Sequence, residues 1–372
     1  MRAAIGDDPT RVILPRPALA PAILAILAAL AALAAGAGSA SAAPEFFGPD
    51  AVFNQRVDGA TTLDRDSAAY AAELQRQAEN FDATVNMRRF TVPIYRVPGT
   101  QPRVKVTIDR PDARRLQEIM ADVPVPADAV ASEGTDGNVA IYQAATDTMW
   151  EFWRFTREED GFHADWAGRV VGLDDSPGWY RDLRDPESGL ALEKPFWGTN
   201  ATHLNLLGGI MTVPEIRSGR IDHALVISIP EARAGVWSAP ANATDGRIAD
   251  ARAIPEGAWF RLDPDLDIDA LGLPPLTRMM ARAAQRYGMV VANTARSVVF
   301  YAEDASRRTT DPYASVMGGL RPVDVARAFP WEHVQTLPLR LSDGQATAAD
   351  ALRRPKRPKR PERAHRRRSA RG

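Results

Sequence analysis

N-V-A-I-Y-Q-A-A-T-D-T-M-W-E-F-W-R-F, residues 138–155, holds two short apolar runs with a polar turn between them. Neither is long enough for a core helix, and both are rich in the β-branched and aromatic residues that fit a pleated surface. Residues 138–143 and 148–155 therefore read as consecutive strands. In the second, alternation puts Met149, Glu151, Trp153 and Phe155 on one face and Trp150, Phe152 and Arg154 on the other. A third run, A-G-R-V-V-G-L at 167–173, continues the same pattern.

The rhythm extends outward in both directions. Upstream, F-T-V-P-I-Y-R-V-P-G (90–99) and R-V-K-V-T-I (103–108) alternate between Pro and Gly boundaries. Downstream lie I-D-H-A-L-V-I-S-I (221–229), A-W-F-R-L-D (258–263), M-V-V-A-N (289–293) and S-V-V-F-Y-A (297–302). Helices are predicted over 64–80, over 112–122, and over 274–287 with Gly288 as its left-handed cap. With no regular strand-helix-strand alternation, the expectation is a mainly β fold: a β-sandwich or jelly-roll-like domain with a few peripheral helices.

The ends differ from this body. Arg2, Arg11 and Arg16 precede an alanine-rich apolar run at 18–35, and Ala40-Ser41-Ala42 has the small-x-small form of a cleavage site, so residues 1–42 read as an export signal. Retained, that segment would be the chain's sole membrane anchor. Residues 353–372 carry eleven Lys or Arg against one Glu. The whole chain has a net charge of −1; removing this +10 tail and the +1 leader leaves 43–352 at −12. The expected organisation is a signal over 1–42, one large β-rich domain over 43–345 with its 43–122 part packed on the rest, and a disordered basic tail over 346–372. V-P-V-P-A-D-A-V (123–130) reads as a linker, and 174–200 as a long loop rich in Gly, Pro, Asp and Trp.

Several chemistries are excluded or unsupported. The chain has no cysteine, hence no disulfide or thiolate chemistry. No H-x-x-x-H, G-x-S-x-G, Walker or Rossmann glycine pattern occurs, and no metal or cofactor is expected. The acidic run at 263–269 lacks calcium-loop spacing and reads as a solvated turn. The tail has no aromatics to stack bases, so nucleic acid is not its expected partner.

Three polar residues are candidate catalytic groups. Glu151 sits in an apolar row, where burial raises a carboxyl pKa toward that of a general acid; the alternative is a carboxylate paired with an arginine at a sheet edge, with its aromatic neighbours as core. His223 shares the strand face of Leu225 and Ile227, opposite Asp222, and serves either as a bonded core histidine or as a cleft residue. Asp136 belongs to the first of two T-D-G triplets, 135–137 and 244–246, whose first reading is a turn. Trp150, Trp153, Trp166, Trp179 and Trp197 are the aromatic surfaces on which a sugar could stack.

The blocks T-D-G-N-V-A-I-Y-Q…M-W-E-F-W-R, L-L-G-G-I-M-T-V-P-E-I-R-S-G-R-I-D-H-A-L, I-P-E-G-A-W-F-R-L-D-P and L-P-P-L-T-R-M-M-A-R-A-A-Q-R-Y-G-M-V-V resemble an uncharacterised family of secreted bacterial proteins. The resemblance spans 53–341 and brings no activity with it. It implies one continuous folded unit, which would make 123–130 an internal loop, and an acid where this chain has Asn293. The expected function is an exported, secreted or envelope protein that binds cell-surface or extracellular polysaccharide or cell-wall polymer, with cleavage as a glycoside hydrolase or polysaccharide lyase as its extension. The alternative is a non-catalytic surface protein docked on anionic polymer through its tail.

Overall fold

Strand β5 (Thr148–Trp153) lies at the heart of a four-stranded sheet, paired antiparallel to β4 (Val139–Gln143) and to β8 (Trp166–Val171), with β2 (Ile94–Arg96) parallel to β4 at the edge. The computed structural model describes residues 45–57, 59–180 and 198–343. The expected signal, the basic tail and Trp197 lie outside the described residues.

Alternation works in β5 as predicted. Trp150 and Phe152 enter one apolar cluster with Val139 and Ile141, while Met149 enters another from the opposite face. Arg154 has φ +55°, so the chain leaves the strand one residue after Trp153 and the alternation stops there.

A six-stranded sheet supplies the second layer. Its order is β1 (Ala83–Asn86), β14 (Val298–Tyr301), β9 (Leu225–Ile229), β13 (Met289–Thr294), β12 (Trp259–Leu262) and β15 (Val334–Thr336). Val226, Val290 and Ala292 share a cluster with Met149 and Ala140 of the first sheet, so the two sheets pack face to face. On the other face Leu225, Ile227, Met289 and Val291 meet α1 (Ser67–Asn80) and α4 (Pro275–Arg286). Two three-stranded sheets complete the β structure: β3 (Val106–Ile108), β7 (Gly161–Ala164) and β6 (Thr156–Glu158); and β11 (Ile254–Glu256), β10 (Ala232–Ser238) and β16 (Leu341–Asp343). Short helices α2 (Arg114–Ile119), α3 (Val213–Ser218), α5 (Ala314–Met317) and α6 (Pro322–Arg327) lie between strands. The described residues thus form sixteen strands in four sheets, a β-sandwich-like fold with peripheral helices.

Several local expectations change. The helix predicted over 112–122 is a six-residue turn of helix, α2. The segment at 123–130 is no linker: Val123 exchanges backbone hydrogen bonds with Val104, and Val125 and Ala129 are buried beside Trp150 and Phe152. Its prolines carry no N–H to leave unsatisfied, so it can run irregularly through a core. The run 221–229 is a strand only from Leu225 onward.

Candidate functional site

Ser228, near the end of β9, marks a polar border between the two large sheets. Its Oγ lies 2.7 Å from the Tyr301 hydroxyl on neighbouring β14. On the other side β13 bulges between Val291 and Asn293, which brings Asn293 opposite Ser228. Asn293 Nδ2 donates to Asn200 Oδ1 at 2.8 Å, and its Oδ1 accepts from Ala201 N at 2.7 Å. Asn293 therefore pins the loop 198–206 onto the six-stranded sheet.

The same loop grips Glu151 from above. Glu151 Oε1 accepts from Thr199 N at 2.6 Å and from Thr199 Oγ1 at 3.2 Å, while Oε2 accepts from Leu206 N at 2.8 Å. Tyr180 donates to it as well. Its exposure is 0 %, and burial pushes the carboxyl up to about 7 against those donors. The raised pKa read from the sequence is present, but no face of Glu151 is open. Two glycines make the room: a Cβ on Gly198, where φ is +79°, would stand 2.7 Å from Glu151 Oε1, and one on Gly168 would stand 2.8 Å from Gly198 Cα.

Thr294, the last residue of β13, extends the border toward two further carboxyls. Asp245 accepts from Thr294 N at 3.2 Å and from Thr294 Oγ1 at 3.0 Å. Glu256 Oε2 accepts from Asp245 N at 2.9 Å. Glu256 is wholly buried, and burial together with the adjacent Asp245 carboxylate holds its carboxyl well above the usual range. Burial thus favours the neutral form of Glu256, beside the exposed Asp245. Both were missed from sequence; the signal for Asp245 was the second T-D-G triplet, which reads first as a turn.

Asp136 belongs to the same end. Its carbonyl accepts from Arg154 N at 2.8 Å, just beyond β5, and its carboxyl is raised by burial against the pull of Arg154. Both Asp136 and Asp245 lie near enough to Tyr301 to act on its hydroxyl, which burial pushes up to about 12.

His223 does not join them. It precedes β9, and Leu225 to Ser228, at a strand's rise of ~3.3 Å per residue, already puts about 10 Å of strand between them. Nδ1 donates to Ala224 O at 2.8 Å and Nε2 faces Glu215 Oε1 at 3.0 Å. Glu215 in turn forms a capping box with Thr212 at the start of α3. Burial opposes charge on His223, but Glu215, with Asp222 adding to it, holds the imidazole above its usual pKa. The side chain lines a recess with Phe46, Phe47 and Phe53 that has room for about one water molecule. It therefore sides with the cluster of Ala224 and Val226 rather than with Leu225 and Ile227, because 221–224 is not yet strand. Asp222, on its own, pairs with Arg220 at 2.7 Å.

The tryptophans are dispersed. Trp150 is buried, with the Arg103 guanidinium over its ring. Trp153 and Trp166 are half-buried cross-strand partners, each with an arginine over the ring, Arg154 at 4.5 Å and Arg110 at 5.2 Å. Trp179 is half-buried where its backbone bridges to Leu204. Among the described residues no helix is long and apolar enough to cross a membrane. Comparison with family models, with curated proteins and with solved structures finds no match.

Proposed function

We propose that this chain is an exported protein that binds an extracellular or cell-surface polysaccharide at the polar border of the sandwich, and that exposed Asp245, with buried Glu256 behind it as its proton partner, supplies acid–base chemistry for its cleavage. The observation that carries the reading is the contrast between these adjacent carboxyls. Glu256 is buried with its carboxyl pushed well above the usual range, Asp245 beside it is exposed, and two carboxyls in such different surroundings are suited to different roles in proton transfer. Half-buried Asn293, Thr294 and Tyr301 supply an amide and hydroxyls of the kind that hydrogen-bond sugar rings. Glu151 acts here by holding the 198–206 loop, and His223 has no part.

The test is a glycan array with a parallel assay for reducing ends and unsaturated products, on the full chain and on Asp245→Asn and Glu256→Gln. Binding by all three with turnover by the parent alone is the expected result. Absence of binding to any acidic or neutral polysaccharide overturns the proposal. A non-catalytic second reading is favoured by the +10 tail on a −12 body: binding that is lost in high salt or on deletion of 353–372, with no product formed, supports docking on an anionic polymer instead.

A further inference from the structure

The small sheet of β3, β7 and β6 gathers a second set of polar side chains, away from the border of the large sheets. In the central strand β7, His163 is 8 % exposed and stands beside Thr107 of β3 and Thr156 of β6. Its Nδ1 lies 2.8 Å from Asp109 Oδ1, and its Nε2 lies 3.0 Å from Asp160 Oδ1. Glu158, the last residue of β6, brings a carboxylate oxygen to the same place, so that one donor atom from each of Asp109, Glu158 and His163 falls within 4.8 Å of the others.

We infer that Asp109, Glu158 and His163 form a binding site for a divalent transition-metal ion. Three physical points carry it. The first is charge: three carboxylates, Asp109, Glu158 and Asp160, surround one imidazole, which neutralises at most one of them, and no ion pair to Lys or Arg is formed by Asp109, Glu158 or Asp160 among the described residues. The second is support. Asp109 N donates to Ala164 O at 2.9 Å, Glu158 pairs with Gly161 across the hairpin, and His163 is locked in the middle strand, so the backbone of all three donors is fixed before any ion arrives. The third is the orientation of the ring. With Asp160 accepting from Nε2–H, the imidazole presents Nδ1 toward Asp109 at 2.8 Å, the arrangement in which a carboxylate behind a histidine fixes its tautomer for metal binding.

The donor set also selects the ion. Zinc takes nitrogen and carboxylate oxygen at ~2 Å, and donor atoms within 4.8 Å of one another are spaced to share one ion of that radius. One imidazole nitrogen among the ligands disfavours calcium and magnesium, which prefer all-oxygen shells. Three protein donors leave water to complete the coordination.

Calorimetric titration of the full chain with Zn2+, and with Ca2+ as a contrast, tests this. The expected result is one Zn2+ per chain, weakened at least tenfold both in His163→Gln and in Glu158→Gln, with Ca2+ bound more weakly than Zn2+. Because Glu158 is exposed, its variant keeps the fold and reads binding alone, and circular dichroism checks this for both. Zinc binding that survives either substitution unchanged, no binding at all, or calcium bound as tightly as zinc overturns the site.

Discussion

Glu151 and Leu206 are joined by a 2.8 Å hydrogen bond from the Leu206 N–H to Oε2, so one buried carboxyl ties the four-stranded sheet to the loop that borders the six-stranded one. With Thr199 on Oε1, the loop is held at both of its ends.

A pH dependence follows. The Glu151 carboxyl stands near 7 in the fold against 4.5 in the unfolded chain, so the folded state binds the extra proton between those values. Its contribution is complete below 4.5 and is lost as pH rises through 7, a loss of about 3 kcal/mol. Urea denaturation at pH 5 and pH 8 should show the parent losing stability across that interval and Glu151→Gln losing less. Glu151→Ala should cost about 3 kcal/mol at pH 5, since it leaves buried N–H groups of Thr199 and Leu206 without an acceptor.

Gly168 and Gly198 are the positions that let this carboxyl and the Tyr180 ring sit together. Gly168→Ala should destabilise the protein by about 2 kcal/mol through overpacking against Gly198 and Tyr180. Gly198→Ala should cost more, because a φ of +79° is added to the clash. By contrast Gly172→Ala meets no neighbouring atom and carries only the cost of its own positive φ. Thermal melts of the three variants give the ranking.

The His223–Glu215 pair titrates with a different sign at each member. Glu215 is held below its usual range by His223 and Thr212 against burial, so its contribution is present above 4.5 and lost as pH falls. His223 is raised, so its contribution is complete below 6.5 and lost as pH rises through its folded value. The pair is therefore most stabilising between about 4.5 and 6.5. Glu215→Gln should destabilise the chain more at pH 5.5 than at pH 8.5; an equal loss at both would mean that the imidazole is neutral throughout.

Strand positions and the two-sided burial of β5 were legible because residues 138–155 bury both faces with short apolar runs, and period-2 alternation reports that directly. The raised pKa of Glu151 followed from its apolar row. What periodicity does not encode is where a strand begins, and a start at Leu225 rather than Ile221 moved His223 to another cluster. The proximity of Asp245 to Glu256, or of Asp109 to His163, depends on pairing between strands far apart in sequence, for which a single chain carries no local signal. Trp150 and its neighbours looked alike in sequence as possible sugar platforms, yet an arginine guanidinium covers the rings of Trp150, Trp153 and Trp166.

Glu256 separates fold from chemistry. Burial holds the Glu256 carboxyl well above its usual range and so favours the neutral form, and glutamine has the same shape and no charge. Glu256→Gln should therefore leave the melting temperature at pH 7 unchanged or higher, the sign expected when an acid whose ionisation opposes folding is replaced by a neutral isostere. If Glu256 passes a proton to Asp245 during polysaccharide cleavage, the same variant should lose about 100-fold or more of turnover, the scale of general acid–base catalysis, while retaining binding. Asp245→Asn removes the neighbouring charge that helps to raise Glu256, so the Glu256 carboxyl, followed by infrared titration, should ionise at lower pH in this variant than in the parent. A Glu256→Gln protein that melts at a lower temperature at pH 7 would show that Glu256 is ionised in the fold, and the acid role assigned to it would then fail.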